Sequence, residues 1–135
     1  MNGQTVVAIG GSSGIGLATA RLAREKGAQV ILTARDADRL RPAPLAQLDF
    51  DKARRDLEAY LLLSIQVARH AVSKVRPGGT LLFMGGTGGR RAAPGLALIS
   101  ALTAAGPALT RNLALELAPI RVNLIAVDGG QQLVE

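Results

Sequence analysis

The chain has 135 residues, of which 48% are hydrophobic and 19% charged, a balance that excludes a disordered chain and leaves enough apolar surface for one domain's core. With no cysteine and a single histidine, His70, there is no material for disulfides, thiolate or histidine-pair metal sites, or a cysteine nucleophile. Sixteen basic against ten acidic side chains give a formal charge of +6, which raises acidic ligands as partners.

Thr5-Val6-Val7-Ala8-Ile9 is a short, nearly continuous apolar run that stops at Gly10-Gly11, as a strand buried on both faces does. Residues 15–26 carry Ile15, Ala18 and Leu22 at helical spacing, with Arg21, Arg24 and Glu25 elsewhere, and Gly27 supplies a stop. Gln29-Val30-Ile31-Leu32-Thr33 repeats the strand pattern, which makes a strand–helix–strand unit with parallel strands. Pro42 and Pro44 mark irregular chain before a long helix over residues 51–75, with Leu57, Leu61, Ser64, Ala68, Ala71 and Val75 on one seam. Pro77-Gly78-Gly79 breaks that helix. Residues 80–84 form a third strand, followed by the glycine-rich loop Gly85-Gly86-Thr87-Gly88-Gly89. A further helix covers residues 96–117, with Pro107 predicting a kink inside it, and Pro119 ends it. Residues 121–126 are a fourth strand, and Val127-Asp128-Gly129-Gly130 is a turn.

The basic residues are scattered, often beside Glu25, Asp36, Asp51, Asp56 or Glu58, the pattern of solvated helix faces rather than of a phosphate-binding stripe. Aromatic residues make up 2% of the chain, Tyr60 being the single tyrosine, so platforms for stacking nucleic-acid bases are nearly absent and nucleic acid is not an expected partner. The longest strongly apolar stretch, residues 60–65, is too short to span a bilayer, and only residues 1–4 precede the first strand. No membrane partner and a cytoplasmic location are expected.

The informative stretch is Gly10-Gly11-Ser12-Ser13-Gly14-Ile15-Gly16, where the first strand ends and a helix begins. Glycines there let the backbone turn sharply and approach a pyrophosphate, whose charge is met by free N–H groups and the positive end of the helix dipole. A tight strand-to-helix turn alone would also use glycine, but this one opens the helix of an apolar strand–helix–strand unit, the context a dinucleotide site requires. The spacing, GxxxGxG, resembles the first turn of the short-chain dehydrogenase/reductase family. Leu109-Thr110-Arg111-Asn112-Leu113-Ala114-Leu115-Glu116-Leu117-Ala118-Pro119 followed by Ile120-Arg121-Val122-Asn123 is similar to that family's late helix and sixth strand, and Val127-Asp128-Gly129-Gly130 to its C-terminal turn.

The resemblance implies an α/β, Rossmann-like parallel sheet with helices on both faces, and a nicotinamide cofactor held by Gly10, Ser12, Ser13, Gly14, Ile15 and Gly16. After the second strand a carboxylate holds the ribose of NAD, whereas a basic residue accommodates the extra phosphate of NADP. Ala34 stands where the family's NAD-preferring members carry the acid, and Arg35 follows it, so NADP is expected before NAD. Asp36 remains open between a contact to ribose and a surface pair with Arg35.

Family members reduce carbonyls with a Tyr-x-x-x-Lys pair, a preceding serine and an asparagine on the earlier long helix. Tyrosine is the general acid, lysine activates it and holds the ribose, serine orients the carbonyl, and asparagine anchors a relay water. In this sequence those positions fall on Ile99, Thr103, Gly86 with Thr87 beside it, and Tyr60. The candidates left for contact with substrate or ribose are Thr87, Ser100 and Thr103, each more readily read as a buried or capping hydroxyl; His70 reads as structural. No metal site is expected.

The family chain is nearly twice as long, and the shortfall is localised to junctions near residues 41–42 and 126–127. The first junction omits a strand–helix–strand stretch. In the family's sheet the missing fourth strand lies between residues 5–9 and 80–84, so its removal leaves those strands about 9.6 Å apart, two strand spacings. The expectation is one NAD(P)-binding domain over residues 1–135, an oxidoreductase acting on a small carbonyl or alcohol, or alternatively a catalytically silent NADP(H)-binding sensor. A homo-oligomer, dimer or tetramer, is expected from the two long helices.

Overall fold

The structure is a computed structural model that describes residues 1–9, 14–33 and 40–127. Two compact units divide the chain, residues 1–39 and 40–135.

In the first unit β1 (Thr5–Ile9) leads into α1 (Gly14–Glu25) and β2 (Gln29–Thr33). The strands pair in parallel, Thr5 opposite Gln29 through Ile9 opposite Thr33. Both strands have the bounds that their apolar runs predict. Gly27 stops α1 with φ of 85°, its amide donating to Arg24 O at 2.9 Å while the Ala28 amide reaches Ala23 O at 3.0 Å, the crossed pair of a left-handed helix end. The helix buries Ala20 and Ala23, whereas Ile15 and Leu22, on the predicted stripe, are exposed. Two stripes of the right period run along this helix. The one with short side chains faces β1 and β2 because it lets backbones approach closely.

The second unit begins with α2 (Phe50–Leu57), a π-helical turn (Glu58–Leu62) and α3 (Leu63–Lys74). Asp49 caps α2, accepting from the amides of Asp51 at 2.9 Å and Lys52 at 3.1 Å. Those bonds, led by the one from Lys52, hold its carboxyl below the ordinary carboxylate value, so the cap persists at neutral pH and is lost as acid protonates it. The predicted long helix is therefore one run with a π turn inside it. A π turn inserts one residue and rotates everything before it by about 100° relative to the regular period. Accordingly the seam through Ala68 and Ala71 does not continue to Leu57, which is exposed, but to Asp56, which is 7% exposed. Burial of a carboxylate needs a partner. Lys52 Nζ supplies it, 3.0 Å from both carboxylate oxygens.

β3 (Thr80–Gly86) and β4 (Arg121–Val127) pair in parallel from Thr80 opposite Arg121 to Gly86 opposite Val127. β3 thus takes in Gly85 and Gly86, and the glycine loop is two residues shorter than its composition suggests. A 3-10 turn, Gly88–Arg90, follows, and α4 (Ala97–Glu116) runs unbroken through Pro107. Ala68 of α3, Leu113 of α4, Leu117, Ile120 and Val122 make the core, with Leu81 and Phe83 packed against it. The opposite face of this sheet, Leu82, Met84 and Ile125, is about half exposed. Among the described residues each sheet holds two strands, β1 with β2 and β3 with β4. No helix among the described residues is long and apolar enough to cross a membrane.

Candidate functional site

Parallel α/β sheets bind ligands outside the carboxyl ends of their strands, where loops lead into helix N-termini. Of the predicted cofactor residues, Gly14, Ile15 and Gly16 open α1, the element that follows β1, whereas Gly10, Ser12, Ser13, Arg35 and Asp36 lie outside the described residues. Gly14 has φ of 54°, a left-handed conformation that favours glycine, and a Cβ built on it meets no atom within 4 Å. Among the described residues no atom lies within 4 Å of that Cβ, and the leading amides of a helix have no intrahelical partner.

In the second unit, the carboxyl end of β3 meets α4. A Cβ at Gly86 would stand 3.2 Å from Thr103 Cγ2, and one at Gly88 would stand 2.9 Å from Ile99 Cγ2 and 3.5 Å from Thr103 Oγ1. The π turn bearing Tyr60 packs against α4 as well. Fold geometry therefore assembles Gly86, Ile99 and Thr103, with Tyr60's segment beside their helix, although the side chains themselves lack the expected chemistry.

The family model described as Enoyl-(Acyl carrier protein) reductase matches residues 41–129. The chain belongs to the short-chain dehydrogenase/reductase family. It is homologous to oxidoreductases of that family, and solved structures share its Rossmann-like fold. A small-chain dehydrogenase superposes with a TM-score of 0.83 at 21% identity, covering 91% of this chain and 81% of the other. A second small-chain dehydrogenase, in complex with NADPH, gives 0.84 at 22% identity, with 91% and 69% covered. A short-chain dehydrogenase/reductase from Serratia marcescens gives 0.82 at 20% identity, with 93% and 74% covered.

Within this short-chain dehydrogenase/reductase the three candidate hydroxyls are differently engaged. Thr103 Oγ1 donates back along its own helix to Ile99 O at 2.8 Å, with Ser100 O at 3.3 Å. Ser100 Oγ donates to Gly88 O at 3.0 Å and so fastens the 3-10 turn to α4. Each has its proton committed to a carbonyl and is left as an acceptor. Thr87 differs: its amide donates to Val127 O at 3.2 Å, while its half-buried hydroxyl makes no hydrogen bond among the described residues. Thr87 is the hydroxyl available to a ligand carbonyl at the end of β3. His70 is exposed on α3, and no group of residues able to hold a metal occurs among those described.

Neither the π turn nor the Ser100–Gly88 bond has a signature in hydrophobic period. The doublet Gly88-Gly89 did carry a signal, because a Cβ at Gly89 would lie 3.0 Å from Ala104 Cβ, Ala104 N and Ser100 O. Gly89→Val is expected to destabilise this unit by about 1–3 kcal/mol through overpacking of the loop against α4. A shift of the urea midpoint with an unchanged slope checks this.

The shallow hollow lined by Ala118, Pro119, Ile120 and Arg121 lies at the amino end of β4. That is the wrong end of the sheet for the chemistry, and the hollow plays no part in the site.

Proposed function

We propose that this chain is an NADP(H)-dependent oxidoreductase that transfers hydride slowly to or from a small carbonyl or alcohol. The observation that carries it is the open, left-handed Gly14 at the head of α1 in a chain of the short-chain dehydrogenase/reductase family. The NADPH complex of a structural neighbour supports the choice of cofactor. Bound nicotinamide supplies a hydride to a carbonyl carbon or accepts one from an alcohol. The Gly14–Gly16 turn would hold its pyrophosphate through backbone amides, and Arg35 its 2′-phosphate. In the second unit, Thr87 would donate to a substrate oxygen and orient it, with Thr103 offering an acceptor beside it. Among the described residues no group replaces the family's tyrosine and lysine at Ile99 and Thr103, so the proton is expected to come from water. NADPH oxidation across a panel of small aldehydes and ketones tests the proposal; tight NADPH binding without any turnover favours the silent sensor, which the loss of both catalytic side chains supports.

NADPH is expected to bind more tightly than NADH, since Arg35 can form charge-assisted bonds with the added phosphate and Ala34 offers no competing carboxylate. Arg35→Ala should narrow that gap. Calorimetry giving equal affinities for the two cofactors, or an unaltered NADPH affinity in the variant, would contradict the assignment.

The proposal extends to a homo-oligomer in the cytoplasm. Phe50, Leu57, Ile65 and Val72 along the α2–α3 run, and Leu115 of α4, remain exposed in the single chain, more apolar surface than solvated helices carry. Sedimentation at micromolar concentration should give a dimer or tetramer. A monomer would count against it.

A further inference from the structure

We propose that the outer edge of β2 takes up an extended acidic segment of a partner protein, added as a strand in the groove between β2 and α1. This goes beyond the oxidoreductase function and does not rest on it.

The groove follows from two periodicities. In the register of β1 with β2, Val30 and Leu32 stand opposite Val6 and Ala8, the half-buried residues of β1, and so share the face that α1 covers. On α1 the positions that meet them are Leu17, Ala20, Arg21 and Arg24, spaced i, i+3, i+4 and i+7 along one stripe. The helix does not reach over the far side of β2, and Leu32 remains 47% exposed. What is left is a groove of about 500 Å3, its apolar lining from Leu17, Ala20, Val30 and Leu32 and its charge from the two arginines.

The backbone selects the shape of the occupant. Among the described residues β2 pairs with β1 alone, so the N–H and C=O groups along its other edge have no strand against them. Sheet edges are ordinarily blunted by charged side chains or proline, and Gln29-Val30-Ile31-Leu32 carries neither. An added strand would bond to that edge through its main chain and send every second side chain into the groove, at the spacing of Val30 and Leu32.

Charge selects its chemistry. Arg21 and Arg24 are exposed, yet they stand on the stripe turned toward the sheet, and neither has an acidic partner among the described residues. Glu25, the one carboxylate side chain among the described residues of this unit, does not line the groove. A second copy is the poorer occupant. Pairing β2 antiparallel with itself sets both α1 helices on one face and brings the arginines of the two copies together, a like-charge juxtaposition that disfavours the pair. Carboxylates on an added strand would instead give both arginines a partner.

The test is calorimetric titration of the full chain with a synthetic eight-residue peptide that has threonine at every second position and, between them, two valines followed by two glutamates. It should bind, and the same peptide with lysine for glutamate should bind about tenfold or more weakly. Combining Arg21→Gln with Arg24→Gln should weaken the glutamate peptide by about three- to tenfold, with native circular dichroism because both side chains are exposed. N-methylation of every second peptide amide separates strand addition from burial in the groove alone. Successive amides of a strand point to opposite edges, so one methylation pattern should abolish binding and the other should leave it within about threefold. No binding of the glutamate peptide, equal binding of the lysine peptide, unaltered affinity in the arginine variant, or equal effects of the two methylation patterns would overturn the proposal. So would a dimer that Leu32→Lys converts to monomer, because the edge of β2 would then belong to a second copy.

Discussion

Gly14→Val is expected to abolish NADPH binding, with an affinity loss of at least about 100-fold. Two effects act together. The valine γ carbons would enter the open space over the first turn of α1, where nothing lies within 4 Å of a built Cβ, and would displace one or two charge-assisted bonds to the pyrophosphate worth about 1.5–3 kcal/mol each. A β-branched residue held at φ of 54° also costs about 1–3 kcal/mol in backbone strain, so the variant should be less stable as well. Gly14→Asn separates the two effects. Asparagine tolerates the left-handed region, which keeps the fold, yet its side chain occupies the same space. Fluorescence titration should show NADPH affinity reduced in both variants, with native circular dichroism for Gly14→Asn. Unchanged binding in a folded Gly14→Asn would move the phosphate site away from this turn.

The second large effect concerns turnover. A positioned general acid contributes about 10²–10⁴-fold, and this chain places Ile99 and Thr103 where the family's tyrosine and lysine stand. Carbonyl reduction should therefore be depressed by about that factor relative to members with the pair, while cofactor binding persists. Tyr60, the one phenol, is in the π turn beside α4, and the residue that should bring a cation to a phenol, Thr103, spends its hydroxyl on Ile99 O at 2.8 Å. Of the lysines in this unit, Lys52 is held by Asp56, and Lys74 sits at the far end of α3. Tyr60→Phe should change turnover little. A fast reductase inactivated by Tyr60→Phe would show instead that the proton donor has moved to the π turn.

Sequence alone determined the order and the bounds of the elements to within a few residues, because strand and helix declare themselves through local period and end at glycine and proline. β1 and β2 coincide with their apolar runs, and α4 begins and ends within one residue of the predicted helix. Sequence also sufficed for the family, because its glycine turn and late-helix motifs are local runs of residues. Tertiary structure alone decided which of two stripes α1 buries, because the choice depends on how closely β1 and β2 can approach, a property of the partner surface. It alone showed that one inserted residue at Glu58–Leu62 turns Asp56 inward in place of Leu57 and forces its pairing with Lys52. The convergence of Gly86, Ile99 and Thr103, and of Ala43 with Gly95 before α4, joins positions far apart in the chain. Contacts of that kind are set by packing and by single backbone hydrogen bonds, which leave no periodic trace in the residues that make them.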